Sequence, residues 1–166
     1  MLHAADNHQR FLTIVEPNRR RLQGLARSFA IGADRDDLYQ EMLLQIWRSL
    51  NGFAGTSNPN TWVYRVALNT AISHRRRSSV RERHTAPHVE IDPDAVPGAA
   101  SGGRDELRIL EEFMASLAEI DRALFALYLG DLSYREMAEV TGLSESHVGV
   151  RINRMKKRFT DTYIGA

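Results

Sequence analysis

Apolar positions recur along this chain at intervals of three and four, the spacing of one buried helix face, and sustained alternation of the kind a strand needs is missing. Ile14, Leu22, Leu25 and Phe29 predict a first helix over Arg10 to Ala30. Pro17 is tolerable there only near a helix start or as a kink. A second helix is predicted from near Asp34, with acids in its first turn where the helix dipole favours them. Leu38, Met42, Ile46 and Leu50 form its apolar stripe. Gly52 and Gly55 punctuate the loop that follows. Asn58-Pro59 has the order of an N-cap and a first-turn proline, and predicts a third helix from about Asn60 to Arg77.

The pattern breaks after His84. Residues 86–103 hold three prolines, three glycines and three acids, the composition of a linker without a core of its own. Helical spacing resumes near Asp105 with Leu107, Leu110, Met114 and Leu117, and again over Ile120 to Tyr128 before Gly130. Ser133 then precedes Glu136 by the three residues of a capping box. A short helix through Val140 ends at Gly142, a residue suited to a left-handed turn. Ser144 can cap a last helix, on which Val148, Ile152, Met155 and Phe159 make an apolar stripe. His147, Arg151, Arg154 and Arg158 make a basic flank, and Ser146, Val150, Asn153 and Lys157 face away from the core. Two short helices joined by a glycine turn, the second with a basic flank, have the form of a helix-turn-helix. The expected fold is all-α: one helical unit over 8–84, a flexible acidic linker over 85–104 and a second helical unit over 105–162.

Charge narrows the function classes. The 166 residues carry a formal net charge of +1, but arginines cluster at Arg19 to Arg21, Arg75 to Arg77 and Arg151 to Arg158. Local basic patches bind phosphate even in a neutral chain, because fields decay within about 8 Å at physiological salt. The absence of cysteine excludes disulfides, thiolate catalysis and cysteine-held metal. The polar N-terminus lacks a signal-peptide core, and no apolar run nears the roughly 20 residues of a membrane span. A cytoplasmic protein is expected.

Two helices carry candidate chemistry. On the third, Arg65, Asn69 and Arg76 share a face, with Trp62 and Ser73 beside it. Arginine pairs with phosphate, asparagine reads a base edge and tryptophan stacks on an unpaired base. The loop Gly55 to Asn58 offers backbone to an extruded base. An equal alternative makes Trp62 a core residue and Asn69 a solvated one. On the second helix, Asp37, Gln40, Glu41 and Leu44 line one side as a docking or solvated face. A metal-dependent nuclease built on Asp36, Asp37 and Glu41 ranks last, because those carboxylates lack a histidine partner. The six histidines have no zinc-site spacing, and no Ser-His-Asp set, phosphate loop or dinucleotide fingerprint occurs. No catalytic residue, metal or cofactor is expected.

Taken in order, DDLYQEMLLQIWRSL, F-x-G with TWVYRVALNTAISHRRR, an acidic linker, and LSYREMAEVTGLSESHVGVRINRMKKRF resemble the bacterial sigma factors of the extracytoplasmic-function type. The resemblance covers about Phe11 to Phe159. It implies partners: core RNA polymerase, promoter DNA and, as a further candidate, an anti-sigma factor. It implies polymerase docking through Asp37, Gln40, Glu41, Leu44 and Trp47. Trp62, Arg65, Asn69 and Arg76, with the Gly55 to Asn58 loop, are then expected at the minus-ten element. The last helix is expected at the minus-thirty-five element: Ser146, Asn153 and Arg154 on bases, Arg151 and Lys157 on phosphates, and His147 beside them. The other readings left open are a sigma-like adaptor that binds an anti-sigma factor without reading DNA, and an independent dimeric repressor.

Overall fold

Proline sets the first boundary. In the computed structural model, which describes residues 2–84 and 101–165, helix α1 spans Leu2–Val15. One 3-10 turn follows over Glu16–Asn18 with Pro17 in it, and α2 then runs Arg19–Phe29. Proline has no N–H to give and its ring crowds the preceding turn, so the single helix expected over Arg10 to Ala30 is two. Asn18 locks the joint. It is 1% exposed; its amide donates to the Ile14 carbonyl and to Asn60 Oδ1, both at 2.8 Å, and its Oδ1 accepts the Tyr64 hydroxyl at 2.9 Å. Burial raises the Tyr64 pKa above its ordinary value, which keeps that hydroxyl a donor.

Helix α3 spans Asp34–Ser49 with three aspartates in its first turn, and a 3-10 turn over Leu50–Gly52 leads out of it. Helix α4 covers Pro59–His84, two turns beyond the expected end at Arg77. The Asn58 side chain accepts from the Asn60 N–H at 2.9 Å, as an N-cap should. Leu22, Leu25 and Phe29 of α2, Leu38, Met42 and Ile46 of α3, and Val63, Ala67 and Ala71 of α4 close the first core. The small Ala67 and Ala71, both fully buried, let α4 lie close against its neighbours.

Helix α5 spans Ser101–Ser116, so Ser101 to Arg104, expected as linker, are helical. The rest of the expected linker, 85–100, lies outside the described residues. Leu110 packs at the edge of the core, but Leu107 is 60% exposed and does not share that face. Helices α6 (Glu119–Leu129), α7 (Tyr134–Thr141) and α8 (Glu145–Tyr163) complete the second unit. Its core joins Phe113, Leu117, Leu124, Met137, Val148 and Ile152. At its centre lies Arg122, 0% exposed. Its guanidinium donates to the carbonyls of Met114, Ala115 and Leu117 at 2.7–3.1 Å. These carbonyls lie in the last turn of α5 and just beyond it, where helix acceptors otherwise go unpaired.

The two units touch along α2, α4, α5, α6 and α7, and their buried apolar residues form one continuous cluster. Arg35 bonds Glu111 at 2.6 Å across the junction, and the Arg122 guanidinium lies 6.0 Å over the Phe29 ring. Every regular element among the described residues is helical.

Candidate nucleic-acid interface

The capping box at Ser133 forms as its spacing requires. The Ser133 hydroxyl accepts from the Glu136 N–H, and the Glu136 carboxylate accepts from the Ser133 N–H at 2.7 Å. The Ser133 N–H first, and then the Ser133 hydroxyl donating to the same carboxylate at 2.8 Å, hold the Glu136 carboxyl below its ordinary value. Gly142 closes α7 at φ +79°, where a side chain would be strained. Ser144 caps α8 through the His147 N–H. On α8, Val148, Ile152 and Met155 are buried against α6 and α7, and Ser146, His147, Val150, Asn153, Arg154 and Lys157 are exposed. This is an exposed helix face of major-groove width, with short polar side chains near its N-terminal end.

The basic flank of α8 is only partly open. Arg151 Nη1 lies 2.6 Å from Asp121 Oδ1, and Arg154 approaches the other oxygen at 3.4 Å. Asp121 is 15% exposed on its side chain, so this pairing orients both cations. Arg158 turns back to Ser116 at 3.1 Å and over the Phe113 ring. Asp121 was not legible as a functional residue, because no local pattern links position 121 to 151.

On α4 the second unit engages Arg65, Thr61 and Arg76. Arg65 donates to the Glu139 carbonyl at 2.6 Å, Thr61 to the Glu139 carboxylate at 3.4 Å, and Arg76 pairs with Glu119 at 2.7 Å. Asn69 and Ser73 remain exposed on that helix. Trp62 is half-buried and stacks on Phe53, with ring centroids 4.8 Å apart. The phenylalanine of the F-x-G motif therefore backs the tryptophan, a role the motif alone did not disclose. Between them, Gly55 takes φ +72° in the loop.

The α3 face splits in two. Asp37, Gln40, Leu44 and Trp47 are exposed along one side. Trp47 has one edge against Phe11, with centroids 5.4 Å apart. Glu41 turns toward α4 instead. It accepts from Arg77 and lies 3.1 Å from His74 Nδ1. Burial pushes its carboxyl up, but these two partners outweigh it and leave the pKa below its ordinary value. Glu41 is thus committed to holding α3 on α4. Among the described residues no three His, Asp or Glu side chains gather as a metal site needs, and no helix is long and apolar enough to cross a membrane.

Comparison with known proteins decides what this pair of units is. Residues 14–81 match the model of Sigma-70 region 2, and residues 107–159 match that of Sigma-70, region 4. The chain belongs to the sigma-70 family, in its extracytoplasmic-function branch. It is 32% identical over 157 residues to the ECF RNA polymerase sigma factor SigG of Mycobacterium tuberculosis, with 78% of this chain and 41% of that protein covered. The chain thus spans about two fifths of that relative's length. It is 28% identical over 162 residues to the ECF RNA polymerase sigma-E factor of Escherichia coli K12, with 89% and 83% covered. The fold is similar to that of CnrH in complex with the cytosolic domain of CnrY: TM-score 0.70, 24% identity, 95% of this chain and 90% of that chain covered. It is also similar to the sigma factor RpoE in complex with the anti-sigma factor NepR from Bartonella quintana: TM-score 0.66, 22% identity, 94% and 95% covered. Helices α2 to α4 are the region 2 unit, and α5 to α8 are the region 4 unit.

Proposed function

We propose that this chain binds core RNA polymerase and directs it to promoters, reading the minus-thirty-five element with α8 and the minus-ten element with α4 and the loop before it. The carrying observation is the exposed face of α8, where Ser146, Asn153 and Lys157 stand opposite the buried stripe behind a glycine turn. Ser146, Asn153 and Arg154 contact bases, and His147, Arg151 and Lys157 lie at or beside phosphates. Leu44 and Trp47, exposed beside Asp37 and Gln40, form the polymerase contact, and Glu41 supports it from behind by fixing α3 on α4.

The physical mechanism is tethering, and bond formation belongs to the polymerase. Each unit offers few contacts, and a good bidentate base contact discriminates by only about 1–3 kcal/mol. Mounting both on one polymerase makes the second contact intramolecular, so promoter spacing matters as much as sequence. Arg65 and Arg76 are paired with region 4 in this arrangement. Region 4 must therefore leave α4 before the minus-ten face meets DNA. Trp62, backed by Phe53, then supplies a stacking surface for bases once they are unpaired.

An anti-sigma factor is a further partner. A cleft of about 700 Å³ runs between the two units, with Phe29, Leu110 and Met114 along it and Arg20, Arg27 and Arg75 around it. An acidic amphipathic segment suits that combination. The deciding experiment is transcription in vitro with core polymerase over a promoter library. The expected result is initiation at a defined pair of elements, with Arg154→Ala and Asn69→Ala each lowering initiation while polymerase binding persists. A chain that neither joins polymerase nor alters where it starts overturns the proposal. Polymerase binding without any change of start site favours the adaptor reading.

A further inference from the structure

The sharpest unexplained feature of the reading helix is an aliphatic side chain at the middle of its exposed face. Val150 is 63% exposed. At 100° per residue it lies almost opposite the Val148–Ile152–Met155 stripe that holds α8 in the core. Its neighbours on the outer face, Ser146, Asn153 and Lys157, are all polar and exposed. Val150 is the sixth residue of α8, in the N-terminal half of the helix, from which a helix-turn-helix reaches base edges. Gly149 beside it projects nothing. A Cβ there would meet the Tyr134 ring at 3.4 Å, so that flank of α8 is filled by α7. With Arg151 turned to Asp121 and Ile152 buried, base contact from the second turn of the helix falls to Val150.

Valine has no donor or acceptor, so on a base edge it recognises one group: the C5-methyl of thymine in the major groove. The geometry points to Val150 as a specificity-determining residue that selects a thymine within the minus-thirty-five element through its methyl group. Ser146 and Asn153, one turn to either side, supply the hydrogen bonds that place it. This rests on the proposed promoter function and assigns one base class to one side chain. A β-branched residue on the solvent face of a helix otherwise contributes nothing to helix propensity.

The test uses the full chain on core polymerase and a promoter selected from the library. Each thymine of the minus-thirty-five element is replaced in turn by deoxyuridine, which lacks only the methyl. One replacement is expected to weaken open-complex formation about fourfold, the worth of one buried methyl-sized group. Val150→Ala is expected to weaken the thymine template by a similar factor and to be indifferent to deoxyuridine at that position. Val150→Ile keeps the sensitivity. Because the contact is apolar, the thymine-to-deoxyuridine ratio stays constant as salt rises while overall affinity falls. Indifference of the unaltered chain to every replacement overturns the inference, as does undiminished sensitivity in Val150→Ala. Equal weakening of Val150→Ala on both templates, with the unaltered chain indifferent, overturns it by placing Val150 against protein instead. A chain that directs no initiation overturns the promoter function itself, which these outcomes keep separate. Circular dichroism and the unfolding midpoint of Val150→Ala should match the unaltered chain, since the site is exposed.

Discussion

The two units treat their candidate DNA-facing cations in opposite ways. In region 4, Arg151 and Arg154 are held by Asp121 of the same unit, so the reading helix is organised by its own domain. In region 2, Arg65 and Arg76 are held by Glu139 and Glu119 of the other unit, so these two cations are engaged from outside while Asn69 and Ser73 stay exposed. An internal ion pair preorganises a surface, whereas a pair across the junction competes with any other ligand of the same cation. The candidate cations of α8 are therefore oriented from within their own unit, and two on α4 are tied to the other unit.

The comparison is most severely tested at Arg122. Its three carbonyl bonds hold α5 to α6 in a fully buried site. Arg122→Met should cost at least about 3 kcal/mol in urea unfolding, because charged hydrogen bonds are lost and acceptors are left buried. The loss should appear first in amide exchange of α5 to α8 and later in α2 to α4. Simultaneous loss in both units would erase the distinction between self-organised and externally covered surfaces.

Asp121→Ala comes next. Releasing Arg151 and Arg154 should weaken initiation about tenfold at a promoter that depends on its minus-thirty-five element, a loss of about 1.4 kcal/mol. Polymerase affinity, read by fluorescence titration, should hold. If initiation rises instead, Asp121 restrains the arginines from DNA and region 4 is as occluded as region 2.

Smaller still is the capping box. The Glu136 carboxyl lies below the ordinary value of 4.5 in the folded chain, so protonation favours the unfolded chain. Its contribution is complete above about pH 4.5 and disappears as pH falls through the lower folded value. Glu136→Gln keeps the capping-box geometry and loses the charge, so it should lower stability at pH 7 by about 0.5 kcal/mol and flatten the acid dependence of the region 4 melting transition. Region 2 should be unmoved.

The smallest expected effect is at the junction. Arg76 is largely exposed and Glu119 partly so, so Glu119→Gln should change stability by less than about 1 kcal/mol. Its readout is shape and not stability: small-angle scattering should show a more open chain, more so at low salt, where the intact pair is strongest. An unchanged profile would assign the closure to the shared apolar cluster alone.

Local rules made much of the fold legible. Ser133 and Glu136, Gly142, Ser144 and the three-four spacing of Val148, Ile152 and Met155 specify the helix-turn-helix within a short window of chain, because caps, turns and amphipathic faces are decided by near neighbours. The same local logic placed Leu44 on an exposed side of α3 and Ser146 and Asn153 outward on α8, whereas Trp47 entered only through the family resemblance. It missed the break at Pro17, where a proline tolerable as a kink ended the helix outright, and it took the start of α5 for linker because Gly102 and Gly103 are poor helix formers, although the helix begins at Ser101.

What the linear pattern could not decide is which charges meet. Arg65 and Glu139 are 74 residues apart, Arg151 and Asp121 30, and Glu41 and His74 33. An arginine has the same periodicity whether it faces phosphate, solvent or a carboxylate from another helix. Local order thus set most of the helices, the caps of α7 and α8 and their outward faces. Only packing brought Glu41 to His74 and Arg77, Asp121 to Arg151 and Arg154, and Glu139 and Glu119 to Arg65 and Arg76, because pairing energies depend on distances that exist only once the helices have come together.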